Sequence, residues 1–173
     1  MDWFRSNTSK AELYETMVRA YSAELFRFAF WLSHDRNIAE DLTQETCLRA
    51  WKNWHSLKDI QATKKWLFTI LRREHARLYQ SDKPQLVDVD NEELENLMVY
   101  DDLPTIELND VLVKLPLNYR EPLLLQVLGG FTCNEIGEIV GTSEAAVMAR
   151  VSRARRMMRE LLNDTDIQRE KLK

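Results

Sequence analysis

Between residues 145 and 159 the chain sets Ala145, Ala149 and Ser152, followed by Arg153, Arg156 and Arg159, on what would be one face of a helix. Guanidinium groups in that pattern suit the backbone phosphates of a nucleic acid. Small residues at the N-terminal end of the same face let a helix approach base edges, so phosphate contacts would position the protein and edge contacts would specify sequence. A second group comprises Gln61, Lys65, Phe68, Arg72, His75 and Tyr79, with Lys64 and Arg73 nearby. Cations interleaved with rings are what an unpaired strand requires, because the charge meets the backbone and each stacked base contributes roughly 1 to 3 kcal/mol. A third group, Asp41, Gln44 and Glu45, falls at i, i+3 and i+4 and makes one acidic, amide-bearing face. Each group has a plainer counterpart: a solvated basic face, aromatic residues packed against neighbouring helices, and a solvated acidic face.

The elements that must hold these residues are legible at helical spacing. Thr132 and Glu135 form a capping box, in which hydroxyl and carboxylate satisfy free N–H groups at a helix start, and Ile136, Ile139 and Val140 follow as its buried side. Gly137 has no side chain to block a crossing helix, and Gly141 suits the left-handed conformation that ends one. Ser143 is a suitable N-cap for a second helix, whose apolar stripe is Val147, Val151, Ala154, Met158 and Leu161. Two short helices joined by a glycine turn, the second rich in arginine, predict a DNA-binding helix-turn-helix.

Towards the N-terminus, residues from about Ala11 to Gln80 predict a bundle of three or more helices. The first carries the stripe Leu13, Met17, Ala20, Tyr21, Leu25 and Phe28; the second starts near Asn37 as its cap, with Leu42, Leu48 and Trp51 in its body. The third, about Gln61 to Tyr79, buries Trp66, Leu67, Ile70, Leu71 and Leu78 and exposes the basic-aromatic group opposite. The expected fold class is all-α, with two small helical domains joined by an acidic linker. They are an N-terminal bundle at 1–80, a linker at 81–107 and a C-terminal four-helix domain containing the helix-turn-helix at 108–173.

Charge follows the same division. The net charge of −4 looks wrong for a DNA binder, but residues 1–80 carry 13 basic and 10 acidic groups, residues 81–114 carry 2 and 10, and residues 115–173 carry 9 and 8. The middle supplies the negative charge. That segment, with Pro84 and Pro104 and weak periodicity, is a linker that would repel duplex phosphates or lie in a basic channel of a partner, or simply a solubilising tether. Cys47 and Cys133 with His34, His55 and His75 lack zinc-ligand spacing, and no nucleophile with a base and no phosphate-binding glycine loop is present. The expectation is a protein that is not an enzyme, with no metal and no cofactor. The N-terminus lacks a signal peptide's apolar core, and the most apolar stretch, Phe26 to Leu32, is short and broken by Arg27, so no membrane insertion and a cytoplasmic location are expected.

Taken together, these parts resemble the short bacterial sigma factors of the extracytoplasmic-function (ECF) group, in the sigma-70 family, promoter-recognition subunits of RNA polymerase. AEDLTQETCLRAW is similar to the family's region two helix that docks on the polymerase clamp, and WLFTILRR to its helix for the minus-ten element. LPLNYREPLLLQVLGGFTCNEIGEIVGTSEAAVMARVSRAR resembles region four, which reads the minus-thirty-five element. The resemblance implies that Asp41, Gln44 and Glu45 contact core RNA polymerase, and that the loop from about Trp54 to Ala62, with Lys64, Lys65, Phe68, Arg72 and Arg73, holds the unpaired non-template strand. It implies that Glu144, Ala145, Met148, Ala149 and Ser152 face the major groove of promoter DNA while Ser143, Arg150, Arg153 and Arg156 hold phosphates. An anti-sigma factor is a further implied partner. Several positions depart from the family's pattern: Arg73 follows the WL helix where asparagine is common, Cys47 replaces a frequent phenylalanine, and Met148 a frequent polar residue. Pro122 is compatible with its helix only if that helix starts late. Two other readings fit the residues, a stand-alone repressor or activator whose N-terminal helices dimerise or sense a ligand, and an N-terminal bundle that binds only protein.

Overall fold

A computed structural model describes residues 10–81 and 106–170, and every regular element among them is helical. Most of the expected linker, 82–105, lies outside the described residues. Helix α1 (Lys10–Ser33) ends where His34 takes a left-handed conformation, φ 55°, and its N–H donates to the Phe30 carbonyl at 2.7 Å. That reversal puts Asp35, rather than the expected Asn37, at the start of α2 (Arg36–Lys52). The Asp35 carboxylate accepts from the Ile38 N–H at 2.9 Å, where it also meets the positive end of the helix dipole. Glu40 pairs with Arg36 one turn away, on the surface. Two 3₁₀ turns, Trp54–Ser56 and Ile60–Ala62, lead into α3 (Thr63–Ser81).

Leu25, Phe28 and Leu32 of α1, Ala39, Leu42 and Ala50 of α2, and Leu67 and Leu71 of α3 form the first core. Thr46 is buried there with its hydroxyl satisfied, donating to the Leu42 carbonyl at 2.7 Å. Arg49 ties α2 to α3 through Glu74 at 2.7 Å. The second core gathers α4 (Ile106–Lys114), α5 (Leu117–Val127), α6 (Cys133–Val140) and α7 (Glu144–Glu170) around Leu115, Leu125, Ile136, Ile139, Val147, Val151 and Ala154. Pro122 is the sixth residue of α5, so the helix does not start late. The buried ring lacks the N–H that would bond the Asn118 carbonyl, and α5 carries that lost bond.

The two bundles are not separate. Residues 28–32 of α1 are all buried, which a helix with one apolar stripe cannot achieve against a single neighbour. The C-terminal end of α1 packs on α5 as well as on its own bundle, and α3 packs on α6.

Candidate nucleic-acid interface

The helix-turn-helix forms as the residues dictate. Thr132 and Glu135 make the capping box, the Glu135 carboxylate accepting from the Thr132 N–H at 2.9 Å, and that bond holds its pKa below the ordinary carboxylate value. Gly141 is left-handed at φ 74°, and the N–H groups of Gly141 and Thr142 both donate to the Gly137 carbonyl at 2.9 Å. A Cβ on Gly137 would stand 2.7 Å from the Thr142 carbonyl oxygen, so glycine there lets the turn fold back onto α6. The Ser143 hydroxyl accepts from the Ala146 N–H at 3.2 Å and starts α7.

On α7, Val147, Val151 and Ala154 are buried, with Met158 and Leu161 partly so. Its other face is open to solvent: Ser143, Glu144, Ala145, Met148, Ala149, Ser152, Arg153 and Arg156 are all exposed. Arg150 is half-buried, near enough to Tyr119 to add a little to the lowering of its pKa and near enough to Glu121 to oppose, weakly, the rise that burial causes there. Arg153 donates to the Tyr119 hydroxyl at 3.2 Å, and that bond is the main reason the phenol sits below its ordinary pKa. Arg155, also exposed, donates to Gln126 at 2.7 Å.

The basic-aromatic face of α3 differs from its expected form. Phe68 and His75, expected on the exposed side, are buried at 0% and 2% exposure. Phe68 lies between Phe28 of its own bundle, ring centroids 5.2 Å apart, and Phe131 of the C-terminal bundle, 5.1 Å away and edge-on. Lys65 is bonded to Glu138 of α6 at 2.5 Å, which raises its pKa, and Arg72 to Glu121 of α5 at 3.0 Å. Burial raises the Glu121 pKa, a shift that Arg72 opposes. Lys64 is held by Glu24 at 2.6 Å and stands over the Phe131 ring, while Arg73 is exposed. His75 is pushed down to about 4 by burial first, then by the charges of Arg120 and Arg72. The side chain of Tyr79 lies outside the described residues.

Sequence reasoning missed Arg120, which crosses from α5 to donate to the Leu32 carbonyl at 3.0 Å and lies 2.8 Å from His34 Nε2. Nothing in its neighbours Tyr119 and Glu121 announces that contact.

On α2, Asp41 and Gln44 are exposed and Glu45 is half-buried against Arg49 at 2.8 Å. Leu48 and Trp51, expected inside, are 51% and 38% exposed, because they continue the same face at i+7 and i+10 from Asp41. That spacing was visible in the sequence. Lys10 caps the Trp51 ring at 4.2 Å. The resulting surface combines carboxylates and an amide with a leucine and an indole. Beside it, Cys47 is partly buried, and burial raises its pKa, favouring the inert thiol. Among the described residues no group of acids, histidines and cysteines could hold a metal, and no helix is long and apolar enough to cross a membrane.

Two helical bundles, one with an open basic recognition helix and one with a basic-aromatic helix, define a two-module nucleic-acid-binding protein. The Sigma-70 region 2 family matches residues 17–83 and the Sigma-70 region 4 family matches residues 105–158. The chain is 30% identical over 156 residues to the ECF RNA polymerase sigma factor SigM of Bacillus subtilis, covering 86% of this chain and 94% of that protein. It is 34% identical over 149 residues to the ECF sigma factor EcfG of Rhodopseudomonas palustris, covering 84% and 82%. The sigma factor RpoE of Bartonella quintana, solved in complex with the anti-sigma factor NepR, superposes with a TM-score of 0.69 at 29% identity, covering 87% of this chain and 96% of that one. The chain therefore belongs to the ECF group of the sigma-70 family. Its function is that of an RNA polymerase sigma factor in transcription initiation, and nothing in these likenesses favours a stand-alone repressor or activator.

Proposed function

We propose that the chain divides its work among three surfaces. The α2 face, Asp41, Gln44 and Glu45 with Leu48 and Trp51, docks on the clamp of the large polymerase subunit. The loop from Trp54 to Ala62 with Lys64, Lys65, Phe68, Arg72 and Arg73 holds the unpaired non-template strand of the minus-ten element. On α7, Glu144, Ala145, Met148, Ala149 and Ser152 face the minus-thirty-five major groove, while Ser143, Arg150, Arg153 and Arg156 hold phosphates.

The observation that carries this assignment is the open, arginine-bearing face of α7 in the same chain as α3, whose cations and rings already sit on carboxylates and an aromatic ring. Residues 1–80 would act on polymerase and strand, residues 108–173 on duplex DNA, and 81–107 would tether them. Each module alone binds weakly, and docking on polymerase supplies the effective concentration that makes the pair specific. Because an ECF relative was solved with an anti-sigma factor, a protein of that kind is the regulatory partner proposed for this chain. The site of action is the cytoplasm, where polymerase and promoter are.

Run-off transcription with purified core polymerase on a genomic promoter pool tests the proposal. Promoter-dependent transcripts are expected, and their absence would refute it. Gln44→Ala with Glu45→Ala should weaken polymerase binding without changing duplex binding by α7.

A further inference from the structure

The contacts that join α3 and the end of α1 to the C-terminal bundle are mostly of two kinds, cation on oxygen and ring on ring. Lys65 meets the Glu138 carboxylate at 2.5 Å and Arg72 meets the Glu121 carboxylate at 3.0 Å. Phe68 meets the Phe131 ring at 5.1 Å, and Arg120 reaches the Leu32 carbonyl at 3.0 Å. A single strand would offer the same helix phosphates for its cations and bases for its rings. We propose that the free chain is self-closed by nucleic-acid mimicry: Glu121 and Glu138 stand in for phosphates and Phe131 for a base on α3, so the strand face opens only when the C-terminal bundle is pulled away. This rests on the strand-binding role assigned to α3 above.

The closure is one-sided. The outward face of α7 contributes nothing to it and stays exposed, so the closed chain can still meet duplex DNA through its second module. The Arg72–Glu121 pair gives the contact specificity: side-chain exposure of Glu121 is only 12% in the closed chain, so any closed arrangement that failed to bring Arg72 to it would leave a desolvated carboxylate. The Lys65–Glu138 pair is more exposed and adds less, as surface pairs do. Opening therefore needs a competitor for α3 or a partner that holds the bundles apart, and polymerase carrying a melted promoter supplies both.

The test uses the full chain, with Cys47 and Cys133 changed to serine and spin labels at Arg36→Cys and Lys114→Cys. Both are exposed positions close in sequence to the Arg120 contact. Electron–electron distance measurement should give one narrow short distance for the free chain. Glu121→Gln with Glu138→Gln, which keeps shape and removes charge, should move at least half the population to a long, broad distribution while the circular dichroism of the helices is unchanged. The same double variant should raise cross-linking to single-stranded oligothymidylate several-fold, whereas Glu15→Gln with Glu40→Gln, two acids elsewhere on the surface, should not. A broad distribution in the free native-charge chain, a narrow one that survives both glutamine changes, or equal cross-linking would overturn the proposal. A closed distance that responds to the glutamines in a chain that gives no promoter-dependent transcript would instead overturn the strand-binding assignment and leave the closure standing.

Discussion

Helices α7 and α3 carry the same kind of surface chemistry and meet opposite fates. On α7 the arginines and small residues look outward, and the apolar stripe beneath them is filled by α5 and α6. On α3 more is covered: Leu67 and Leu71 by its own bundle, Phe68 by rings of both, and Lys65 and Arg72 by the other bundle. A helix that reads duplex phosphates from outside needs only an exposed face. One that stacks unpaired bases needs exposed aromatic surface, and an exposed phenylalanine is attractive to any apolar neighbour. The difference shows that cations advertise a nucleic-acid face wherever they occur, whereas aromatic residues leave open whether nucleic acid or protein will use it.

The strongest way to break that contrast is truncation of a ring or side chain on each helix. Phe68→Ala removes a fully buried ring and is expected to cost about 3 to 5 kcal/mol in urea unfolding. Met148→Ala, at 58% exposure on α7, should stay within about 0.5 kcal/mol. Equal costs would mean that Phe68 is not packed between the two bundles.

Next in size is the pH response of α3. His75 lies at about 4 when folded, below its ordinary 6.5, so the folded chain excludes a proton that the unfolded chain takes up. Stability should be full above pH 6.5 and fall by on the order of 3 kcal/mol as the pH drops towards 4. His75→Gln should flatten that part of the stability-against-pH curve, and an unchanged slope would argue against a buried neutral imidazole.

Gly137→Ala sharpens the comparison from the other side. Its Cβ would press on the Thr142 backbone carbonyl, and a cost of about 1 to 3 kcal/mol is expected, with weaker duplex binding because the turn sets the angle of α7. Smallest in stability is Arg153→Ala with Arg156→Ala, expected to leave unfolding within about 0.5 kcal/mol. Its effect belongs to binding: affinity for duplex DNA should fall, and the salt dependence should lose about two phosphate equivalents.

The helix-turn-helix was legible because each of its determinants is local. Thr132 with Glu135, Gly137 with Thr142, and Ser143 with Ala146 lie within five residues of one another, and periodicity then fixes what faces inward. The three-helix bundle was legible for the same reason, apart from details set by neighbouring backbone, such as the Asp35 cap following the left-handed His34. The outward position of Leu48 and Trp51 follows from their register with Asp41, against what their apolar character alone would predict. The covering of α3 was not legible. Arg72 and Glu121 are 49 residues apart and Arg120 and Leu32 are 88, and no local pattern encodes such a pairing.

On the proposal above, one surface of α3 is occupied by the protein itself when free and by the non-template strand when in use. Gln61, which shares a cleft with Gly130 and Phe131, is the place to ask, by replacing it with a photo-cross-linking amino acid. In the free chain the cross-link should fall on residues 129–135, and in an open complex of polymerase on a promoter that the native chain transcribes it should move to the non-template strand. An intramolecular cross-link that persists undiminished in the open complex would mean that α3 does not exchange one occupant for the other.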